Sequence, residues 1–338
     1  MKSVNPSWTV FQPAVTRPVW GHVGLLLLGC LAVAAGLAVG SEGWSWPLGA
    51  QASSVIVWDV RLPRALGAWL AGALLGLAGA LGQTLFRNPL ADPYLLGSAS
   101  GAGLGVALGL LAAHGMVDWP TAWLRWGSGG LAFAGAWLAM ALALWWSRGL
   151  SHTPRLLLAG VVVGVVLSAL TSALMLWVPQ AWGGFQSFML GTTQAIDRPA
   201  LAVLALGLLA CLAVAVRWAP TLDVLSLGEA TAQSMGLNLS RTRAALLLSM
   251  ALATSLAVSH TGLIAFVGLA APHLVRTLGL SRPSVLPVLS AWAGGLLLAL
   301  ADLISRWWWS PLEWPVGVLT ALIGGLYLLY ALRRREGA

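Results

Sequence analysis

The sequence predicts an all-α polytopic membrane protein of about ten spans, folded as a single domain over residues 1–338. Three observations predict it. Mean hydropathy is +0.85. Hydrophobic residues make up 59% of the chain and charged residues only 8%, whereas soluble domains carry about 25% charged residues. The apolar residues are also gathered into runs of the roughly 20 residues that cross a bilayer as a helix.

The runs fall at 20–40, 62–85, 93–113, 121–146, 155–177, 199–218, 241–259, 262–280, 285–306 and 315–332, and each is read as a span. Residues 1–19 hold Pro6, Pro13 and Pro18 but no apolar core. They read as a short cytoplasmic arm and not as a cleaved signal peptide. Within the runs, Gly72/Gly76, Gly101/Gly105, Gly105/Gly109 and Gly160/Gly164 have the four-residue spacing that lets helix backbones approach closely. Pro272 and His273 interrupt the eighth run. Residues 178–197 are too polar and too short to span, so an interfacial or re-entrant segment is expected there. Such backbone survives at membrane depth only inside protein or facing water. Tryptophans such as Trp44, Trp58, Trp145, Trp146 and Trp307 stand near run ends, where interfacial belts form.

An even number of spans puts both termini on one side. With that side cytoplasmic, the outer loops hold Arg61, Arg64, Arg125, Arg198 and Arg306. The other 13 of the 18 basic residues lie inside, as the positive-inside bias requires. The net charge of +8 is then a matter of topology and not of nucleic-acid binding. Cys30 and Cys211 both sit in apolar runs and read as inert thiols.

Several function classes are excluded. Catalytic acids and bases must converge in a pocket, and the spans hold almost none; no catalytic residue is assigned. Asp302 is the main intramembrane acid. It precedes Arg306 by four residues, so an i,i+4 pair near the outer surface is expected. His22, His114, His152, His260 and His273 show no metal-ligand spacing, and no metal or cofactor is expected on this chain. A P-loop needs GxxxxGK[ST], and the single lysine is Lys2. A buried carboxylate relay, as ion-driven transport would use, is missing. A transporter of this composition draws its energy from a partner.

Two segments at and between span ends carry local signals. In 85–105, LFRNPLADPYLLGSASGAGLG, Asn88-Pro89 ends the second run, and Asp92 with Pro93 starts the next helix. This gives a tight hairpin. In 217–243, Asp223 or Ser226 is placed to cap short helices and Gly236 to end one. Leu222, Val224, Leu225, Leu227 and Met235 lie there with no span to join. They form either a docking surface or a set of side chains folded back on the bundle. Arg61 and Arg64 stand three apart at the mouth of the second run, suited either to lipid phosphate or to a partner's carboxylates.

The stretch RLPRALGAWLAGALLGLAGALGQTLFRNPLADPYLLGSASGAGLG closely resembles the permease subunits of type II ABC importers. These are the FecCD-like proteins that import ferric siderophores, heme and cobalamin. LLLAGVVVG (156–164), FMLGTT (188–193), LSLGEATAQSMGLN (225–238), FVGLAAPHLVR (266–276) and EWPVGVLTALIGGLYLLY (313–330) extend the resemblance over nearly the whole chain after residue 55. Two departures stand out: Leu263 and Ala265 replace a proline and a glycine, and Thr192-Thr193 replaces Ser-Leu.

The resemblance implies ten helices per subunit and a homodimer whose two-fold axis carries the path. It implies two cytoplasmic ATPase subunits holding ATP and Mg, a periplasmic binding protein, and a place in the bacterial inner membrane with both termini cytoplasmic. It assigns binding-protein docking to Arg61, Arg64 and Arg306. It assigns the cytoplasmic gate to Asn88, Leu90, Ser151 and Thr153, and coupling to the ATPase to Leu225, Glu229, Ala230, Met235 and Gly236. The many aromatic residues point to a flat ring as cargo, so heme is the expected substrate, ahead of ferric siderophore and cobalamin. The alternative class is an ion-gradient-driven secondary transporter.

Overall fold

A computed structural model describes residues 20–40, 43–44, 56–115, 127–147, 153–308, 310 and 312–336. Thirteen α-helices account for nearly all of them. Ten match the ten apolar runs: α1 (Trp20–Ala38), α2 (Leu62–Phe86), α3 (Ser98–Ala113), α4 (Gly127–Trp146), α5 (Thr153–Trp177), α7 (Arg198–Arg217), α10 (Leu239–Thr261), α11 (Val267–Thr277), α12 (Leu286–Trp307) and α13 (Val316–Glu336). The other three, α6 (Trp182–Leu190), α8 (Ala219–Ser226) and α9 (Glu229–Ser234), are short. Among the described residues six helices are long and apolar enough to cross a membrane, and 23–38, 98–113 and 316–329 are shorter apolar helices. A two-residue β pairing of Val39 and Gly40 with Trp44 and Gly43 follows α1.

α2 is the axis of the bundle. From Ala71 to Gln83 every residue is buried, so this helix is sheathed by protein on all sides. Its glycines set how closely the neighbours come. A Cβ at Gly72 would lie 2.3 Å from the Gly294 carbonyl oxygen of α12, and one at Gly76 would lie 2.1 Å from the Ser290 oxygen. The α3–α4 pair repeats the device, with Gly101 against the Gly135 carbonyl and Gly105 against that of Leu131. The expected pairs Gly72/Gly76 and Gly101/Gly105 thus act as close-packing sites, whereas Gly164 meets its neighbours only at ordinary contact distance.

The eighth run departs from a full span. Residues 262–266 are not helical, and α11 has only 11 residues. Pro272 lies inside α11 without breaking it. Proline lacks the N–H that would bond to the carbonyl four residues back. That carbonyl, on Gly268, packs instead on Gly79 of α2, where any Cβ would collide with it. Residues 178–197 form a 3₁₀ turn, then the nine-residue α6. The two irregular stretches satisfy each other: Leu263 N donates to Phe188 O at 3.0 Å and Thr192 N to Thr261 O at 2.7 Å. Tyr94 Oη donates to Ile264 O at 3.1 Å.

Cys30 is exposed and Cys211 buried, both as free thiols. The expected arm at 1–19 and Ser151, an expected gate residue, lie outside the described residues. So does the side chain of Thr153, although its backbone starts α5.

Candidate functional site

The close packing of α2 on α12 brings the start of one helix beside the end of the other. Arg64 lies in the first turn of α2, behind Pro63. Asp302 and Arg306 lie one turn apart near the end of α12. The Arg64 Nε atom donates to Asp302 Oδ1 at 3.0 Å, and its Nη1 donates to Glu313 Oε2 at 2.8 Å. Asp302 Oδ1 also accepts from Thr193 Oγ1 at 2.5 Å. Its other oxygen, Oδ2, lies 2.7 Å from Arg306 Nη2, off the line of a hydrogen bond, so that contact is ionic. Arg306 Nη1 donates to the backbone oxygens of Gly36, at 3.0 Å, and Val39, at 2.7 Å, where α1 ends. Gln194 Nε2 donates to Glu313 Oε2 at 2.5 Å.

Two arginines and two carboxylates therefore neutralise one another between five chain segments. Asp302 is 1% exposed, Arg306 2% and Arg64 8%. This corrects the docking assignment of Arg64 and Arg306. The helices pack too tightly to leave the guanidinium groups at the surface, and their charge is already spent on Asp302 and Glu313. The Asp302–Arg306 pair does form, but in the interior. Arg61 is half-buried and donates from Nη1 to Leu37 O at 3.2 Å. Arg198 is more open and pairs with Asp59 at 2.8 Å.

The opposite end of α2 carries the 87–97 hairpin, where the gate was expected, and faces the 217–243 segment, where coupling was expected. α2 stops at Phe86, and Arg87 takes the left-handed conformation, φ 49° and ψ 36°. Asn88 N then bonds back to Gln83 O at 3.1 Å, and Asn88 Oδ1 accepts from Leu90 N at 2.9 Å. Asn88 and Leu90 are both exposed. Asp92 caps the 3₁₀ turn Pro93–Leu96 by accepting from Tyr94 N at 2.7 Å. Burial pushes the Asp92 carboxyl up to about 6, against the lowering effect of that hydrogen bond.

Residues 217–243 fold into α8 and α9, then enter α10 through an Asn238 cap. Gly236 follows α9 at φ +78°, in the place expected for it. Asp223 does not cap a helix. Its carboxylate accepts from Ser284 N at 2.8 Å and from Arg282 Nε at 3.2 Å. The apolar residues divide. Leu222 is 0% exposed and Leu225 2%, whereas Leu227 is 66% and Met235 60% exposed. Leu225 is therefore corrected from a docking contact to a core residue, because it shares the inner face of α8 with Leu222. Ala230 is exposed. Glu229 pairs with Arg243, with Oε1 and Nη2 2.5 Å apart.

Sequence reasoning missed Glu313, Thr193, Gln194 and Arg87. Glu313 had a signal, as one of only 10 acids in an apolar chain. Arg87 also had one, since it fills the position where a helix usually ends in glycine. Thr193 stood out only as a departure from the family pattern, and Gln194 had no signal.

Residues 23–334 match the family described as the FecCD transport family. The chain belongs to the FecCD transport family. Among its FecCD relatives is the vitamin B12 import system permease protein BtuC of Yersinia enterocolitica serotype O:8 / biotype 1B, 36% identical over 319 residues, with 92% of each chain covered. The protein of the same name from Klebsiella pneumoniae subsp. pneumoniae is 35% identical over 322 residues, covering 93% of each. A solved inward-facing structure of a metal-chelate type ABC transporter superposes with a TM-score of 0.82 at 27% identity, over 92% of this chain and 98% of that one. The fold is thus that of a type II ABC importer permease, and this FecCD chain is a multi-pass membrane permease and not itself the ATPase. The expectation of heme gains no support from these relatives, which are named for vitamin B12 import.

Proposed function

We propose that this chain is the permease of an ATP-driven importer that carries cobalamin into the cytoplasm. The observation that carries the reading is the 36% identity to a vitamin B12 import permease across 92% of both chains. The chain works as a homodimer with two ATPase subunits that bind ATP and Mg, and a binding protein delivers the cargo. The charge bias of the loops puts both termini and the 217–243 segment in the cytoplasm, in the bacterial inner membrane. The Arg64 end then faces outward. There Arg61, flanked by the open Asp59–Arg198 pair, is retained as the docking arginine. Asn88, Leu90, Ser151 and Thr153 remain the gate. A second copy has a face to meet on α5, where Val161, Val162, Val165, Val166 and Leu170 are all at least half exposed.

The test is uptake by proteoliposomes holding the permease with its ATPase, offered cobalamin, heme and a ferric siderophore, each on its own binding protein. Uptake of cobalamin alone, abolished without ATP, is the expected result. Uptake of another cargo discards cobalamin, and uptake that follows an ion gradient without ATPase discards the importer.

The exposed ridge of Leu227, Ala230 and Met235 is the ATPase contact, with Glu229 and Gly236 shaping the turn that presents it. Leu227→Glu and Met235→Glu are expected to weaken co-purification with the ATPase at least tenfold without lowering the melting temperature. Leu225→Ala is expected to do the reverse. It removes a buried leucine at about 2–5 kcal/mol and leaves the contact surface in place. Equal effects from all three would show that the ridge and the buried face are not distinct.

A further inference from the structure

We propose that Arg87 is the positioning residue that joins the coupling segment to the gate hairpin. On the importer reading above, displacement of α8 reaches Asn88 and Leu90 through its guanidinium. Arg87 Nη2 donates to Leu225 O at 2.8 Å. That carbonyl lies in the last turn of α8, at the helix end that favours a cation. Among the described residues Arg87 makes no ion pair, so its charge serves this backbone contact.

The backbone points the same way. Arg87 and Phe266 are the only non-glycine residues with positive φ among the described residues. The left-handed region disfavours an L-residue with a Cβ, and glycine ends helices there without that cost. An arginine kept in this position is used for its side chain. The conformation aims it across to α8 and also starts the hairpin. The next residue, Asn88, bonds back to α2 and holds Leu90 N, so residues 88–90 follow Arg87 as a unit.

α8 can transmit motion because it is held rigidly from its other side. Leu222 and Leu225 are buried. Asp223 is fixed by Ser284 N and Arg282 from the turn before α12. The segment therefore grips both members of the closely packed α2–α12 pair at one end: α12 through Asp223, and α2 through Arg87. Only the second grip leads directly to the gate.

The experiment uses the assembled permease–ATPase complex with Leu90→Cys as reporter and Cys30 and Cys211 replaced by serine. Maleimide labelling at position 90 is timed with and without ATP and Mg trapped by vanadate. With Arg87 present, trapping should change the rate at least fivefold. Arg87→Gly relieves the backbone and removes the side chain. It should keep the melting temperature and ATP hydrolysis within twofold of the parent, yet reduce the nucleotide-driven change to under twofold. Arg87→Lys, which keeps a donor, should restore part of the response. A full response in Arg87→Gly overturns the proposal. So does a loss accompanied by a lowered melting temperature, which marks a merely structural role. Failure of the parent complex to assemble with an ATPase counts against the importer reading itself. An assembled parent that hydrolyses ATP without moving position 90 counts against the Arg87 linkage alone.

Discussion

Asp302→Ala is expected to cost about 3–5 kcal/mol of stability, the range found when one partner of a buried ion pair is removed. The carboxylate is 1% exposed and faces two guanidinium groups. Its loss leaves Arg64 and Arg306 sharing one remaining carboxylate, Glu313. Arg306 is the more damaged, because its other partners are the neutral backbone oxygens of Gly36 and Val39. Thr193 also loses its acceptor. The readout is the melting temperature in detergent, followed by the fluorescence of the 20 tryptophans. Asp302→Asn keeps the shape and should lose most of the same stability, because charge and not volume is what the site requires.

A paired change sharpens the result. Asp302→Leu combined with Arg306→Leu removes one charge of each sign and leaves Arg64 with Glu313, 2.8 Å away. The double variant should be more stable than Asp302→Ala. It should stay below the parent, because two carbonyls at the end of α1 lose their donor. If both single and double variants melt with the parent, the network is not what holds this end of the bundle.

The contrast between Asp302 and Glu313 shows what the sequence discloses. Ten apolar runs became ten helices because a run of membrane length is a local property, visible in about 20 consecutive residues. The Asp302–Arg306 pair was legible for the same reason, being one helical turn long. Arg64 meets Asp302 across 238 residues of chain and Glu313 across 249. No periodicity carries that information, so the arginines read as surface groups when they are buried ones. The turn at 262–266 was likewise marked only by a weak eighth run. Its hydrogen bonds come from Phe188 and Tyr94, far away in sequence. In the 217–243 segment the three-residue spacing of Leu222 and Leu225 does separate an inner face from Leu227. That division was present in the sequence, but the helix boundaries that give it meaning were not.

The helix pair beneath both ends gives the second large effect. Gly76→Ala is expected to destabilise by about 1–3 kcal/mol through overpacking, and Gly76→Val by more, up to loss of the folded state. Helix propensity alone would predict the opposite sign, since alanine is better than glycine by about 0.5–1 kcal/mol in a helix interior. Geometry decides between them. The new Cβ would stand 2.1 Å from Ser290 O and 2.9 Å from Ser290 C, whereas close carbon–oxygen contacts sit at about 3.3–3.6 Å. The obstacle is backbone, so no rotamer change relieves it, and α2 and α12 must separate by about an ångström or more. That separation would pull Arg64 from Asp302 at one end. At the other it would disturb the grip of α8 on both helices. Gly24→Ala is the matched control, with nothing within 4 Å of the added Cβ, and should change stability by no more than about 0.5 kcal/mol. If Gly76→Ala melts with Gly24→Ala, the close approach of α2 and α12 is not a determinant of this fold.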